Sequence, residues 1–460
     1  MDLFELTARE EAVETLHQLT AIYTHEPIVD ELLDSLSWPD GNKRLLDPST
    51  GSGVFLCRAL QRLLQARPDI DDAHLVHVLQ GWEVHPFAAS QARAQVARAL
   101  RLHGRDPQHA VALADLMVRV GDFLLEANAE DRYSAIATNP PYLRMVNVPE
   151  PIRSDYEAQL PEHAQADMLH AFLDRCARAL ESDGEIAMIT SDRWLMNEQA
   201  ATLRATIGAS LGVAHLERVD VASAFYRPKD RRRGTPPRVH PVLVVLKKRH
   251  SEGTLPLGRA PMYPGADLLE AYEGPLLGDV ATVRIAPWLG TPGVFVVDKR
   301  DAQKFDPEEI VPAIDTDDIT GGVVGSPSRF ALRTWRDKRP SAAVMDHLDR
   351  TLERMCARGR RPGTPWVPPE SFETFDLSRE YLLIPRIAKS LRPVRIAAGL
   401  LPINHNLSVI SNGALSLDEI EAVLASEHAQ QWIAARAPRL ENGYMSITTR
   451  CLRGLPVRGG

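Results

Sequence analysis

The sequence predicts an α/β protein: a mostly parallel, doubly wound sheet followed by a second domain of mixed α+β character. Three observations predict it. Short apolar runs alternate with stretches of helical periodicity from residue 44 to residue 250, the pattern of parallel strands joined by crossover helices. The first strand candidate opens into a glycine-rich turn and then a helix, as such sheets do where they take a ligand. Beyond residue 250 the alternation gives way to short apolar runs cut by Gly and Pro. The chain is therefore expected to divide into residues 1–250 and 251–460.

Seven strands are expected in the first domain: Arg44 to Asp47, Val78 to Glu83, Leu116 to Val120, Ser134 to Thr138, Glu185 to Thr190, His215 to Val219 and Pro241 to Leu246. Between them, Val54 to Gln65, Phe87 to Leu102, Asp167 to Glu181 and Glu198 to Ala209 place apolar residues at helical spacing. In the second domain, Gly253 to Gly265 and Gly274 to Gly293 are irregular, and Tyr381 to Ile387 reads as a strand. Leu417 to Ala435 reads as one amphipathic helix, opened by Ser416 with Glu419 in capping-box spacing. No internal repeat or low-complexity tract stands out.

Composition narrows the class. With 460 residues, 44% hydrophobic and 25% charged, the chain has ample material for two or three packed cores. The acidic start lacks the cationic and apolar segments of a signal peptide, and no apolar run approaches the roughly 20 residues of a membrane span. A cytoplasmic protein is expected, with no membrane partner. Cys57, Cys176, Cys356 and Cys451 are too scattered for a disulfide framework or zinc ribbon, and no metal is expected.

The net charge of −8 argues at first against a polyanionic partner. Its distribution reverses that inference. Residues 1–224 hold 19 Lys and Arg against 34 Asp and Glu, and the rest holds 34 against 27. An acidic half for chemistry and a basic half for a polyanion fit this asymmetry.

Chemistry-bearing residues cluster at the strand ends. Asp47-Pro48-Ser49-Thr50-Gly51-Ser52-Gly53 follows the first strand, where glycines allow close approach and the helix N-terminus offers unsatisfied N–H groups. Glu83 ends the second strand, where a ribose diol lies in such folds. Asp122 and Phe123 follow the third, adding a carboxylate and an aromatic ring. The most specific signal is Asn139-Pro140-Pro141-Tyr142, directly after the apolar strand SAIAT. Its prolines stiffen the turn and remove donors, so that the Asn amide and nearby carbonyls can accept hydrogens from an exocyclic amine.

In this order the motifs resemble those of gamma-class S-adenosylmethionine-dependent DNA adenine-N6 methyltransferases, in the TaqI-like branch. Ala21-Ile22-Tyr23-Thr24-His25-Glu26-Pro27 resembles the N-terminal cofactor motif, with His-Glu inserted before the proline and Ala where Gly is common. Asp167 to Phe172, Asp183 to Ile186 and Thr190-Ser191 resemble later motifs. The likeness covers residues 20–250 closely; the remainder, ending in Leu452 to Val457, is more loosely similar to that branch's target-recognition domain. It implies a class I methyltransferase Rossmann-like fold. The cofactor S-adenosyl-L-methionine would be bound by Tyr23, Thr24, Asp47, Ser49, Gly51, Gly53, Glu83, Asp122, Phe123 and Asn139. It further implies that an adenine is flipped from double-stranded DNA. The base would stack on Tyr142 and on Phe225, with Tyr226 a competitor for the second role. Asn139 and the Pro140 carbonyl, held by Pro141, would accept the N6 hydrogens.

The basic half supplies DNA-binding candidates: Arg227, Lys229, Arg231, Arg232 and Arg233 in a loop running to Arg238, then Arg333, Trp335, Arg336, Lys338, Arg386 and Lys389. Interleaving cations with an aromatic suits backbone or groove contact. No nuclease signature is visible, so a separate cognate restriction endonuclease or the subunits of a defence complex are the expected protein partners. Two other enzyme readings share NPPY, a release-factor glutamine-N5 methyltransferase and an RNA adenine methyltransferase. A DNA-binding subunit with little activity alone is the non-enzyme reading.

Overall fold

The computed structural model describes residues 3–40, 42–226, 240–264, 272, 274–356 and 364–457. The chain forms two compact units, Met1–Asp267 and Leu268–Gly460. The first extends past residue 250 because the following segment stays attached to it: Arg204 donates to the Arg259 carbonyl at 2.7 Å, and the Met262 amide to the Leu195 carbonyl at 2.9 Å.

The first unit's large sheet has eight strands: β1 (Leu45–Asp47), β2 (Leu79–Glu83), β3 (Val118–Val120), β4 (Tyr133–Thr138), β5 (Leu180–Ser191), β6 (Leu211–Arg218), β7 (Pro241–Lys248) and β8 (Leu255–Pro256). Their order is β3-β2-β1-β4-β5-β7-β6-β8. The sequence led to seven. The eighth is a two-residue edge on β6, too short to leave a periodic trace. The first five strands are parallel, and β7 runs antiparallel between β5 and β6. Chain progression reverses between β1 and β4, so the crevice at their carboxyl ends is the topological switch point where open sheets take ligands. The turn beginning at Asp47 and the loop beginning at Asn139 flank it.

β7 buries six consecutive residues, Pro241 to Leu246, because both sheet faces are covered. At about 1.5–3 kcal/mol for each fully buried large aliphatic, it is a central contributor to this core. Around the sheet pack α1 (Leu3–Thr20), α2 (Val54–Ala66), α3 (Pro86–Leu102), α4 (Glu150–Gln159) and α5 (Met168–Arg178), among others. The stripe Phe55, Leu56, Ala59, Leu60, Leu63 and Leu64 of α2 is buried, as its 3.6-residue spacing requires. The third strand starts at Val118 rather than Leu116, because the helix Pro107–Met117 runs directly into it.

Gly53 opens α2 at φ +97°, and a Cβ there would stand 3.0 Å from the Ala92 Cα on α3. Backbone strain and a clash with main chain act together. Gly53→Ala is expected to cost about 1–3 kcal/mol, read as a lower denaturant midpoint; a wild-type midpoint would show that the turn relaxes freely.

The second unit contains two four-stranded sheets. One orders Ala281–Ile285, Leu407–Ser411, Tyr381–Ile384 and Val394–Ile396; the other Val296–Asp298, Arg329–Leu332, Ile310–Ile314 and Leu401–Pro402. The expected strand to Ile387 stops at Ile384, before Pro385, and Ile387–Ala388 pairs elsewhere. The expected single helix from Leu417 is two, Leu417–Ala425 and Glu427–Arg436. Ser426 adopts ψ 152° and caps the second with its side chain, a local hydrogen bond competing with helix continuation. The capping box of Ser416 and Glu419 is present.

Candidate functional site

The glycine-rich turn is fixed from both sides. The Thr50 amide donates to the Trp82 carbonyl at 2.9 Å and the Gly53 amide to the Thr50 carbonyl at 2.8 Å. Ser49 Oγ lies 2.7 Å from Thr138 Oγ1 and donates to the Asn139 carbonyl at 3.1 Å, so turn and Asn-Pro-Pro-Tyr loop form one framework. Beneath them Asp47 is fully buried. Its Oδ1 accepts from Thr138 Oγ1 at 2.8 Å and from the Ser49 amide at 3.3 Å, while Oδ2 has no hydrogen-bond partner among the described residues. Burial pushes its carboxyl up to about 7.

Glu83, at the end of β2, accepts the Gly51 amide at 2.8 Å and the His85 amide at 2.9 Å, one on each oxygen. Burial raises its carboxyl, and the two amides oppose that rise. Asp122 caps the short helix Phe123–Glu126 through the Leu124 amide at 3.0 Å. Its other oxygen accepts the Tyr156 hydroxyl of α4 at 2.9 Å. Burial pushes this carboxyl up to about 6, against the pull of both hydrogen bonds. Phe123 stands edge-on to Trp82 and stacks on Phe172 of α5, with centroids 6.1 Å apart in each case.

At the end of β4, Asn139 is held on three sides. Its Nδ2 donates to the Ile22 carbonyl at 3.2 Å and to Thr24 Oγ1 at 3.1 Å, and its Oδ1 faces the Tyr142 hydroxyl. That hydroxyl also lies 2.7 Å from the Ile189 carbonyl; burial raises it well above the ordinary phenol range. The amide expected to point outward thus has its orientation set by the Ile22 to Thr24 segment, with one lone pair left on Oδ1. The same segment positions the second aromatic. Thr24 pairs with Phe225 and Tyr23 with Tyr226 in a two-residue ribbon. Phe225 is buried, and its ring is 6.4 Å from Tyr142 at a tilt of 57°. Tyr226 is exposed and stacks on Tyr23 at 5.7 Å.

One cavity of about 930 Å³, open mouth included, gathers most of these residues: Tyr23, Thr24, Ser49, Gly51, Glu83, Asp122, Phe123, Asn139, Pro140, Pro141 and Tyr142 line it. Asp47, Gly53 and Phe225 support it without lining it. Leu16 and His17 on α1 and Tyr156 on α4, none of them expected from the sequence, line it too. Nothing local marks them. Phe172 also lines it and was visible only as the end of a later motif.

The basic candidates separate into groups. Arg227, Lys229, Arg231, Arg232 and Arg233 lie outside the described residues. In the second unit Arg333 and Lys338 sit over the Trp335 ring at 5.2 and 5.5 Å, and the Arg336 amide donates to Glu373 at 2.9 Å. Lys389 lies over Tyr444 at 5.2 Å, and the Arg386 carbonyl accepts from the Ile447 amide. Two flanking arginines are already committed, Arg329 to Asp318 at 2.6 Å and Arg395 to Glu421 at 2.9 Å.

The chain is similar to known proteins along most of its length. Residues 102–219, from the end of α3 to just past β6, match the family model of the Eco57I restriction-modification methylase. The chain is 27% identical to the Type II methyltransferase M.PaeR7I of Pseudomonas aeruginosa, over 95% of this chain and 85% of that one. It is 23% identical to M.XhoI of Xanthomonas vasicola, over 95% and 90%. In fold it is similar to the Type IIL restriction-modification enzyme MmeI, solved in complex with DNA, with TM-score 0.56 at 14% identity over 99% of this chain and 67% of that one. Along most of its length the chain is similar to methyltransferases of the restriction-modification type. Among the described residues no helix is long and apolar enough to cross a membrane.

Proposed function

We propose that the chain transfers a methyl group from S-adenosyl-L-methionine to N6 of an adenine flipped out of double-stranded DNA. The observation carrying this reading is the Asn-Pro-Pro-Tyr loop at the switch point, its Asn amide pinned beside a glycine turn and two strand-end carboxylates in one cavity. Likeness to Type II methyltransferases along almost the whole chain, second unit included, supports DNA as the substrate.

The residues fit the cofactor. A Cβ on Gly51 would project toward Tyr23, 3.9 Å away, into the space both residues line. Glu83 and Asp122 would accept from the ribose hydroxyls and the adenine amine, with Phe123 and Phe172 as faces for the ring. Asp47, buried beneath the turn, would hold the Ser49 amide and the Thr138 hydroxyl in place under the methionine end. When bound, the cofactor supplies an electrophilic methyl group; the protein supplies position.

Asn139 Oδ1 and the Pro140 carbonyl would accept the two N6 hydrogens and aim the nitrogen lone pair along the line of transfer. Alignment then provides most of the acceleration. A planar base held between Tyr142 and Phe225 needs parallel rings about 7 Å apart, twice a close carbon contact of about 3.5 Å. The rings observed at 6.4 Å and 57° would have to part and level, so Tyr142 would surrender a hydroxyl contact as the base enters. Stacking, worth about 1–3 kcal/mol per base, would offset part of the flipping cost. The first unit would be the catalytic domain and the second the target-recognition domain, with Arg333, Trp335, Arg336, Lys338, Arg386, Lys389 and the loop from Arg227 as contacts to DNA. A separate endonuclease of the same specificity would be its partner.

The test is incubation of the purified chain and labelled S-adenosyl-L-methionine with duplex DNA, RNA and a release factor, followed by mapping of the modified base. Label in DNA at adenine N6 is expected. Label confined to RNA or protein, or found at cytosine, would overturn the reading.

A further inference from the structure

The cavity has a wall that no recognised motif supplies. Leu16, His17 and Thr20 of α1 line it together with Glu83 and Asp122. Ala12 and Leu16 are buried in the core beside it. His17 is itself buried, and its ring lies flat on that of His85, with centroids 4.0 Å apart and planes 6° from parallel.

Two clips hold α1 in place, and each leads to one of the strand-end acids. At the first, His85 Nδ1 accepts the Ala88 amide at 3.3 Å, which leaves the ring proton on Nε2. That nitrogen donates to Glu14 of α1 at 2.8 Å. Hydrogen bonds from Gln18 and then His85 hold the Glu14 carboxyl below its usual range. The backbone amide of the same His85 donates to Glu83. At the second clip Arg9 of α1 pairs with Asp155, the neighbour in α4 of Tyr156, whose hydroxyl holds Asp122. An isolated helix has little reason to be tied this way to the residues that orient two buried carboxylates.

We propose that α1 is the closing wall of the cofactor site, and that His17, braced flat on His85, is a binding residue that packs against the adenosine end of the ligand. This rests on the reading of the cavity as an S-adenosyl-L-methionine site. A planar ring is suited to the role because it offers a rigid apolar face at little entropic cost, while its own back is covered by His85. Glu14 and Arg9 act as positioning residues: they fix where that face stands relative to Glu83 and Asp122.

The experiment is calorimetric titration of the full chain with S-adenosyl-L-methionine and, separately, with unreactive S-adenosylhomocysteine. His17→Ala is expected to weaken both about tenfold, leaving the cofactor-free affinity for DNA within about twofold of wild type. His17→Phe, which keeps a flat ring against His85, should return both to within about threefold. The pair Arg9→Gln and Glu14→Gln leaves every cavity-lining side chain intact and should also weaken both ligands. Wild-type affinity in His17→Ala, failure of Phe to rescue, or wild-type affinity in the clip variant would each overturn the proposal. A wild-type chain that binds neither ligand would instead overturn the cofactor reading, leaving no ambiguity over which idea had failed.

Discussion

Asn139→Ala is expected to lower the methyl-transfer rate by on the order of a thousandfold, with affinity for S-adenosyl-L-methionine changed by less than about fivefold. The two halves of this expectation have different structural origins. On the proposed reading the rate depends on Oδ1, an acceptor that lies where the amine nitrogen gathers positive charge as it attacks. Affinity depends mainly on the glycine turn, Glu83 and Asp122, none of which exchanges a hydrogen bond with the Asn139 side chain; Ser49 of the turn reaches only the Asn139 backbone carbonyl, which alanine keeps. The small loss in binding comes from Nδ2. Without it the Ile22 carbonyl and Thr24 hydroxyl lose their shared donor, and the segment that carries Tyr23 is held less firmly. Single-turnover rates at saturating cofactor, with affinity from direct titration, check both halves. A rate within tenfold of wild type would remove Asn139 from the chemistry.

The contrast between these two ends of Asn139 shows what was legible in the sequence. Asp47, Glu83, Asp122 and Asn139 were readable because each sits at the carboxyl end of a strand, where a local pattern, an apolar run followed by a turn, fixes the place of the residue in the fold. The alternation that marks those strands also fixed the sheet. Partners arriving from elsewhere left no such trace. Tyr156 reaches Asp122 across 34 residues, from a helix whose sequence is otherwise an ordinary amphipathic one. His17 lies in a stretch notable only for acidity. The break at Ser426 was missed for another reason: apolar periodicity continues across it, while the decision to stop is made by one side-chain hydrogen bond. The eighth strand, two residues long, pairs with the edge of β6 by main chain alone, which sequence does not encode.

Asp47→Asn is expected to make the protein more stable at pH 8 while weakening its hold on the cofactor. The carboxyl is raised from 3.8 to about 7 because burial disfavours its charge. A raised carboxyl means that the folded chain binds more protons than the unfolded one between about pH 4 and pH 7, so stability falls with rising pH across that window and levels off above it. The ionised form therefore costs the fold on the order of 4 kcal/mol. Asp122, raised from 3.8 to about 6, adds a slope of the same sign at the lower end. Asparagine keeps an oxygen for Thr138 Oγ1 and cannot ionise, so thermal or denaturant melts should show little change near pH 4 and a gain growing toward pH 8. Equal gains at both pH values would show that packing, not charge, was relieved. Buried acids that burden the fold are retained where a ligand needs them. On the proposed reading Asp47 serves the ligand at one remove, through the Ser49 amide and Thr138 hydroxyl that its Oδ1 holds beside the cavity. An ionised oxygen holds that amide and hydroxyl more firmly than a neutral one, so cofactor affinity in the wild type should rise with pH through about 7, and the Asn variant should bind more weakly and lose that dependence.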